Sequence, residues 1–168
     1  AGIALVPEDR KAEGIITEMP IRDNLAMASL PDLQTRKFVQ DGKIDELSEE
    51  TAKRLSIKTP TILQLVGMLS GGNQQKVVIG KWVAQNPKVF LLDEPTRGID
   101  VRSKGQIYEL IEELAAEGAA ILMISSDLEE ILRISDRVLV MHEGQFAGEL
   151  SRDELTEESV MQLATGAQ

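Results

Sequence analysis

The sequence predicts an α/β fold built on a parallel sheet, with a helical insertion and a C-terminal β-hairpin. Three short apolar runs, at residues 2–6, 89–92 and 120–124, have the length and composition of buried parallel strands. Segments with helical periodicity separate these runs, and two further short runs near the C-terminus flank Glu143-Gly144 as a hairpin would. At 168 residues the chain is long enough for one domain with a sizeable core.

Composition narrows the class of protein. The net charge is −10 and no basic run interrupts it, so we expect no binding of nucleic acid or anionic lipid. The chain has no cysteine, which excludes disulfides and thiolate metal sites. No apolar run approaches the ~18 residues of a membrane span, so we expect any membrane role to pass through a protein partner.

The N-terminal element is a short strand, residues 2–6, that Pro7 stops. A chain that begins inside an apolar strand is typical of a piece of a longer protein. Glu8, Asp9, Arg10 and Lys11 then predict a charged loop.

Residues 15–86 predict a mostly helical section between two strands. A helix begins near Pro20, and helical periodicity fades over residues 30–43, where Pro31 and Asp41-Gly42 indicate a loop. A polar helix is predicted for residues 45–55 and a short helix for residues 59–66.

The segment from Leu69 to Lys76 predicts a site for an anion. Small residues at Ser70, Gly71 and Gly72 let the backbone approach a ligand, and the helix that follows presents unpaired N–H groups. Lys76 is close enough in sequence to favour a phosphate, although it and Lys81 also fit solvated helix charges. The alternative for the whole segment is a plain helix start.

The strand at residues 89–92 ends on Asp93 and Glu94. Acids at the C-terminal edge of a parallel strand face the crevice where open α/β sheets bind ligands. Asp93 would hold Mg²⁺ directly or through water, and Glu94 would polarise an attacking water, as phosphoryl transfer requires. The alternative is a plain strand end.

The remaining elements are predicted from caps and turns. Ser103 would cap a helix that stops at Gly118, and Asp100 before it also fits an ordinary loop acid. Asp127 and Glu130 form a capping-box pattern after the third strand. His142, in the predicted hairpin, is interpreted as structural. Ser151 with Glu154 predicts another capping box, before a closing helix over residues 156–163.

The order Leu-Ser-Gly-Gly-Asn-Gln-Gln-Lys (residues 69–76), then Asp-Glu-Pro-Thr-Arg-Gly-Ile-Asp (residues 93–100), resembles the signature motif, Walker B strand and D-loop of ATP-binding cassette (ABC) ATPases. This form is similar to the second nucleotide-binding half of bacterial monosaccharide importers of the ribose, galactose and xylose type. Residues 7–11 and 140–144 are similar to the same group, so the resemblance covers nearly the whole chain.

The resemblance implies a truncated P-loop NTPase core and a division of the chain. Residues 1–14 would form the Q-loop strand and loop, residues 15–86 the helical subdomain with the signature motif, and residues 87–168 the Walker B, D-loop, switch region and the rest of the core. ATP and Mg²⁺ are the implied cofactors. The implied nucleotide-binding residues are Leu69, Ser70, Gly71, Gly72, Asn73, Gln74 and Asp100.

Two positions depart from the family pattern. Glu8 stands where most ABC ATPases carry the Q-loop glutamine, so as a Mg²⁺ ligand it would add negative charge beside the triphosphate. Ser126 stands where a switch histidine usually contacts the γ-phosphate, so it is a degenerate catalytic position. Asp93 and Glu94 keep the implied metal and catalytic roles.

The motif Gly-x-x-x-x-Gly-Lys-[Ser/Thr] occurs nowhere in the chain, and with it the phosphate-loop strand is missing. We therefore expect poor ATP binding by this chain alone, and a signature that acts in trans on ATP held by a complete first nucleotide-binding half. The resemblance also implies transmembrane permease subunits, a periplasmic sugar-binding protein and a peripheral position on the cytoplasmic face of the bacterial inner membrane. A bare edge is expected at the strand of residues 121–124, and we expect either that two copies dimerise through it or that the strand that begins at Val138 moves onto it.

Two other functions remain open on the sequence. One is an inert regulatory or interaction module that keeps only the fold, which the missing phosphate loop and Ser126 favour. The other is a non-transport ABC ATPase acting on DNA or ribosomes, for which a basic surface would be expected.

Overall fold

A computed structural model describes residues 2–35 and 38–166 and divides the chain into two compact units, Ala1–Ile124 and Ser125–Gln168. The elements of the first unit are β1 (Ile3–Val6), a π-helical turn (Arg10–Gly14), α1 (Ile21–Ala26), β2 (Gln34–Thr35), β3 (Phe38–Val39), α2 (Asp41–Arg54), α3 (Gly71–Val83), β4 (Val89–Asp93), α4 (Val101–Ala116) and β5 (Ala120–Ile124). Those of the second unit are α5 (Leu128–Ile134), β6 (Arg137–His142), β7 (Gln145–Ser151) and α6 (Glu157–Thr165).

The first unit is built on a parallel sheet with the strand order β1-β4-β5, which confirms the predicted α/β fold. One face of the sheet is buried, with Val6 and Leu92 at most 1% exposed. The other face is exposed. Leu5 and Leu122 lie on either side of Leu91 in the sheet, and they are 53% and 54% exposed. The prediction of strands buried on both faces was therefore wrong for β1 and β5, because no described residue of the first unit covers this second face.

Helices α1, α2 and α3 form the predicted helical section, but two of its boundaries differ from the prediction. Helix α2 begins at Asp41, which was predicted as loop, and the carboxylate of Asp41 accepts a hydrogen bond from the guanidinium of Arg22 at 2.8 Å. This bond raises the pKa of Arg22, and an acid in the first helical turn is favourable to the helix dipole. Of the predicted loop at residues 30–43, residues 36 and 37 lie outside the described residues.

No helix forms over residues 59–65. The hydroxyl of Thr59 donates to the carbonyl of Thr61 at 2.7 Å, and local bonds of this kind compete with a helix. The segment instead pairs with the start of α1, where the N–H of Ile21 donates to the carbonyl of Gln64 at 2.9 Å. A single 3₁₀ turn, Val66–Met68, follows.

The charged segment after β1 was predicted as a loop and is a π-helical turn. The Asp9 carboxylate accepts from the N–H groups of Lys11 and Ala12 at 2.9 and 3.0 Å, which fixes the start of this turn. The turn ends before Ile15, whose N–H donates to the carbonyl of Arg10 at 2.9 Å.

The second unit contains the predicted antiparallel hairpin of β6 and β7. Asp127 caps α5, but Glu130 does not complete a capping box, because its side chain accepts from the hydroxyl of Ser125 at 2.5 Å. The capping box of Ser151 and Glu154 is present. Nδ1 of His142 donates to the carbonyl of Ala164 at 2.7 Å, which agrees with a structural role for this residue.

None of the helices in the described part of the chain is sufficiently long and apolar to cross a membrane.

Candidate functional site

The N-terminus of α3 carries the predicted signature residues. Ser70 is the N-cap residue, yet its side chain makes no capping hydrogen bond to the backbone, and it is exposed. Instead the amide of Asn73 donates to the Ser70 hydroxyl at 3.0 Å, while its oxygen accepts from the N–H of Lys58 at 2.9 Å. Asn73 therefore fixes Ser70 to the loop before α3.

Leu69 and Gln74 are buried residues next to this helix end. Leu69 is 9% exposed and Gln74 is 4% exposed, and the Gln74 amide donates to the carbonyl of Val66 at 3.3 Å. Their side chains hold the segment in place, so any contact that these two residues make with a ligand would pass through the backbone.

Gly72 lies against the start of α4. A Cβ atom added at Gly72 would be 2.4 Å from both Cβ and Oγ of Ser103, so only glycine fits there. Helix α4 is capped by Asp100 and not, as predicted, by Ser103, because the Asp100 carboxylate accepts from the Ser103 N–H at 3.0 Å and hydroxyl at 2.7 Å. These bonds lower the pKa of the Asp100 carboxyl. The structure thus brings Gly72 and the predicted D-loop residue Asp100 together through Ser103.

Asp93 and Glu94 lie at the C-terminal edge of the parallel sheet, as predicted. Asp93 is the last residue of β4 and pairs with Ile124 of β5. Glu94 adopts a positive φ of 46°, which is uncommon for a residue with a side chain and is often found at functional sites. Its N–H donates to the carbonyl of Ile124 at 2.9 Å. The hydrogen bond to β5 therefore fixes the unusual backbone conformation of Glu94 just beyond the end of β4.

Glu8 follows β1 at the same edge of the sheet, where its carboxylate forms an ion pair with the guanidinium of Arg97. Within the described ranges, 2–35 and 38–166, no group of three or more histidine or acidic residues is placed to hold a metal ion. Mg²⁺ at nucleotide sites is commonly bound by one or two carboxylates together with the phosphates. The donor chemistry of Asp93 fits such an ion, whereas Glu8 already has a cationic partner.

Lys76 and Lys81 are not the solvated charges that the sequence allowed. Lys76 is 5% exposed and its ammonium donates to the carbonyl of Ser56 at 3.3 Å, so it is held away from the helix end. Lys81 donates to the carbonyl of Gly14 at 2.8 Å. Burial lowers the pKa of both lysines. The suggestion that Lys76 favours a phosphate was wrong, because its side chain is committed to the loop before α3.

Ser126 belongs to the second unit and is exposed just before the cap of α5. Its neighbour Ser125 accepts from the N–H of Asp127 at 3.0 Å and donates to Glu130. The local structure is therefore a tight turn built by Ser125 and Asp127, with Ser126 at its surface.

Sequence reasoning missed Arg10. Its guanidinium donates to the carbonyls of Arg97 at 2.7 Å and Gly98 at 3.3 Å, and it lies beside Gly71. The sequence predicted only a charged loop and a family resemblance for this segment, because spacing along the chain does not indicate a contact 87 residues away.

Comparisons with known proteins find relatives that cover nearly the whole chain. A family model described as ABC transporter matches residues 1–97. The ribose import ATP-binding protein of Oceanobacillus iheyensis is 50% identical over 166 residues, which are 99% of this chain and 34% of that protein. A putative ribose/galactose/methyl galactoside import ATP-binding protein of Geobacillus kaustophilus is 50% identical over 165 residues, which are 98% of this chain and 33% of that protein. The chain thus spans about a third of the length of these curated relatives.

Solved structures share the fold. An ATP-binding cassette of an ABC transporter superposes with a TM-score of 0.78 at 24% identity, over 96% of this chain and 68% of that one. A dimeric ATP-binding cassette in a post-hydrolysis state, bound to ADP and Pi, gives a TM-score of 0.74 at 20% identity, over 89% of this chain and 62% of that one.

Proposed function

Because this chain belongs to the ABC transporter family, we propose that it is part of the ATP-hydrolysing subunit of a sugar importer and that its signature segment acts in trans. In this proposal the N-terminus of α3 contacts ATP that is held by the phosphate loop of a complete first half. The observation that carries it is the exposed Ser70 hydroxyl, which is held by Asn73 at a helix end and not used to cap that helix. Backbone N–H groups at such an end favour an anion.

The similarity to importers supports the sugar-transport part of the proposal. Two relatives of equal identity carry the names of ribose and of ribose, galactose or methyl galactoside import proteins. Since both are 50% identical to this chain, we propose a monosaccharide importer without naming the sugar.

We further propose that the site formed by this chain's own Asp93 and Glu94 works poorly. ATP with Mg²⁺ would supply the transferable phosphoryl group and the neutralising cation at such a site. Glu8 is paired with Arg97, so a Q-loop contact from Glu8 would first have to break that ion pair. Ser126 has no ring nitrogen to take up or release a proton near neutral pH.

Two substitutions in the native gene product that contains this chain test the asymmetry. Ser70→Arg places a bulky cation at the helix end and should abolish ATPase activity, because it blocks the donated signature. Glu94→Gln should leave much of the activity, because it affects only the weak site. Equal losses from both substitutions would contradict the asymmetric arrangement, and full activity of Ser70→Arg would contradict donation in trans.

We propose that permease subunits dock on the helical section, which places the protein peripherally on the cytoplasmic face of the inner membrane. The backbone around Met19 runs beside the segment that leads to α3, where Val66 donates to the Met19 carbonyl at 3.1 Å. Apolar side chains on these two segments are exposed: Ile16 (43%), Leu63 (63%), Leu65 (42%) and Met68 (72%). Co-purification of permease should fail for Leu63→Glu with Met68→Glu and persist for the second-unit control Phe146→Glu.

An inert interaction module is the second candidate, favoured by the ion-paired Glu8 and by Ser126. The isolated chain should then neither bind ATP nor alter hydrolysis when it is added to a complete nucleotide-binding half. Stimulation of that half's hydrolysis, lost in Ser70→Arg, would support the importer subunit instead.

A further inference from the structure

Arg10 joins three parts of the first unit at one point. One amino group of its guanidinium donates to the carbonyl of Arg97 at 2.7 Å and the other donates to the carbonyl of Gly98 at 3.3 Å. A Cβ atom added at Gly71, the first residue of α3, would lie 2.9 Å from Nη2 of Arg10. The π-helical turn after β1, the loop after β4 and the signature helix therefore meet at this side chain.

The backbone that carries Arg10 is itself fixed. Arg10 begins the π-helical turn that Asp9 caps, and its own carbonyl accepts from the N–H of Ile15 at 2.9 Å. Two residues before it, Glu8 forms its ion pair with Arg97. The segment after β1 thus holds the loop after β4 twice: Glu8 pairs with a side chain of the loop, and Arg10 binds its backbone carbonyls.

The same loop reaches the signature by a second route. Asp100 caps α4 through Ser103, and Ser103 packs against Gly72. Gly71 therefore faces the Arg10 side of the loop, while Gly72 faces the α4 side.

Stability alone gives a poor account of an arginine at this position. Its Nε–H is buried and has no acceptor among the residues that the structure describes. A buried donor without a partner costs about 1–3 kcal/mol. The planar fork of a guanidinium can, however, bind two carbonyls at a fixed angle, which the single ammonium of lysine cannot do.

We propose that Arg10 is a positioning residue for the donated signature. It fixes the N-terminus of α3 against the loop of Arg97 and Gly98, so that Ser70 and the first N–H groups of α3 are held at one distance from Asp100. Arg10 does not contact the nucleotide in this proposal, which rests on the proposed action of the signature in trans. A misplacement of about 1 Å can reduce a rate by as much as ~100-fold, so a residue that acts only on position can still control kcat.

The test compares Arg10→Ala, Arg10→Lys and the control Lys11→Ala in the native gene product that contains this chain. Lys11 lies in the same π-helical turn and is exposed. We expect Arg10→Ala to lower kcat roughly tenfold or more per folded molecule, with KM for ATP within about twofold, because the other half holds the ATP. Arg10→Lys should be intermediate, and Lys11→Ala should match the parent protein. An unchanged kcat per folded molecule in Arg10→Ala would overturn the proposal.

A double-mutant cycle with Gly71→Ala separates positioning from a general loss of structure. The added methyl group should displace the Arg10 guanidinium, so part of the cost of Gly71→Ala should disappear when Arg10 is already alanine. We expect the loss in kcat of the double variant to be at least about twofold smaller than the product of the two single losses. Strictly independent losses would overturn the contact.

Failure of this inference can be told apart from failure of the proposed function. If Ser70→Arg leaves ATPase activity intact, donation of the signature in trans is wrong. If Ser70→Arg abolishes activity while Arg10→Ala retains the parent kcat, only the role of Arg10 is wrong.

Discussion

Gly72 and Ser103 meet where α3 and α4 begin, and their contact leaves no room for a methyl group. A Cβ atom at Gly72 would be 2.4 Å from Cβ of Ser103. This Ser103 atom is bonded directly to the main chain, so it cannot move aside. We expect Gly72→Ala to lower the free energy of unfolding by about 1–3 kcal/mol, the usual cost of overpacking. Urea unfolding of the two single variants and of the double variant with Ser103→Gly measures this cost. The cost of Gly72→Ala should be smaller by at least about 0.5 kcal/mol when position 103 is glycine. Additive costs would show that the helices can separate freely here.

Burial of Lys76 makes the free energy of unfolding depend on pH, and the direction of the change can be worked out. Burial, and secondarily the charge of Lys58, lowers its pKa below 10.5, while Glu109 acts in the opposite direction. Below the lowered pKa both folded and unfolded states are protonated, and the cost of burying the charge is present in full. Between the lowered pKa and 10.5 the unfolded chain binds more protons, so stability rises with pH.

Lys76→Met removes this dependence and keeps an unbranched side chain that is one heavy atom shorter. We expect the stability difference between Lys76→Met and the parent to shift in favour of the parent as pH rises toward 10.5. Unfolding curves at several alkaline pH values measure it. A difference that stays constant, or that shifts toward methionine, would mean that Lys76 carries no burial penalty.

At the scale of single residues, sequence predicted the position of Asp93 and Glu94 at the end of β4 but not the partners of Arg10 and Lys76. An acidic residue directly after an apolar strand can be placed from the local sequence alone. The partner of a long cation depends on segments far along the chain, so its contacts follow only from the packed structure.

Helix α3 is the central element of the helical section, and Gly80 lets it approach its neighbours. A Cβ atom at Gly80 would be 2.7 Å from Cδ1 of Leu55 and 2.8 Å from Cδ2 of Leu25, both of them buried. Alanine is favoured over glycine inside a helix by about 1 kcal/mol, whereas overpacking costs about 1–3 kcal/mol. We expect Gly80→Ala to destabilise the protein by roughly 1 kcal/mol net.

Gly105 is the matched control for Gly80. It lies inside α4, and an added Cβ would meet no atom within 4 Å. Gly105→Ala should therefore raise the thermal midpoint, by up to about 1 kcal/mol in stability, while Gly80→Ala lowers it. Stabilisation by both substitutions would mean that α3 tolerates a larger distance from Leu25 and Leu55.

Element boundaries show why local signals were insufficient. Asp41-Gly42 was predicted as loop, yet the Arg22 guanidinium pairs with Asp41 and Asp45 at the start of α2. The predicted helix at residues 59–66 failed because the segment exchanges its backbone bonds with the start of α1. In both cases a tertiary partner outweighed the local propensity, which is worth only tenths of a kcal/mol per residue.

At the scale of the molecule, the parallel sheet formed by the three short apolar runs was predictable and the exposure of one sheet face was not. Apolar runs indicate burial on both faces. In β1 and β5, however, the described residues cover only one face of the sheet. The same runs leave β5 with a pairing partner on one side only among the described strands.

The free edge of β5 predicts association of the 168-residue chain with a second copy. The N–H of Ala120 donates toward β4, to the carbonyl of Lys88 at 2.9 Å. Donors alternate in direction along a strand, so the N–H groups of Ile121 and Met123 point to the unpaired side. An unpaired edge of apolar residues recruits another strand, and charges on it oppose such pairing.

Sedimentation of the chain over a range of concentrations measures this association. We expect a concentration-dependent dimer that weakens in Leu122→Lys with Ile124→Lys, because two copies would then bring four cations together at the paired edge. Leu139→Lys is the control, since Leu139 is 49% exposed on β6, close to the 54% of Leu122. A chain that stays monomeric at its highest soluble concentration, or a control that dissociates the dimer equally, would remove β5 as the contact.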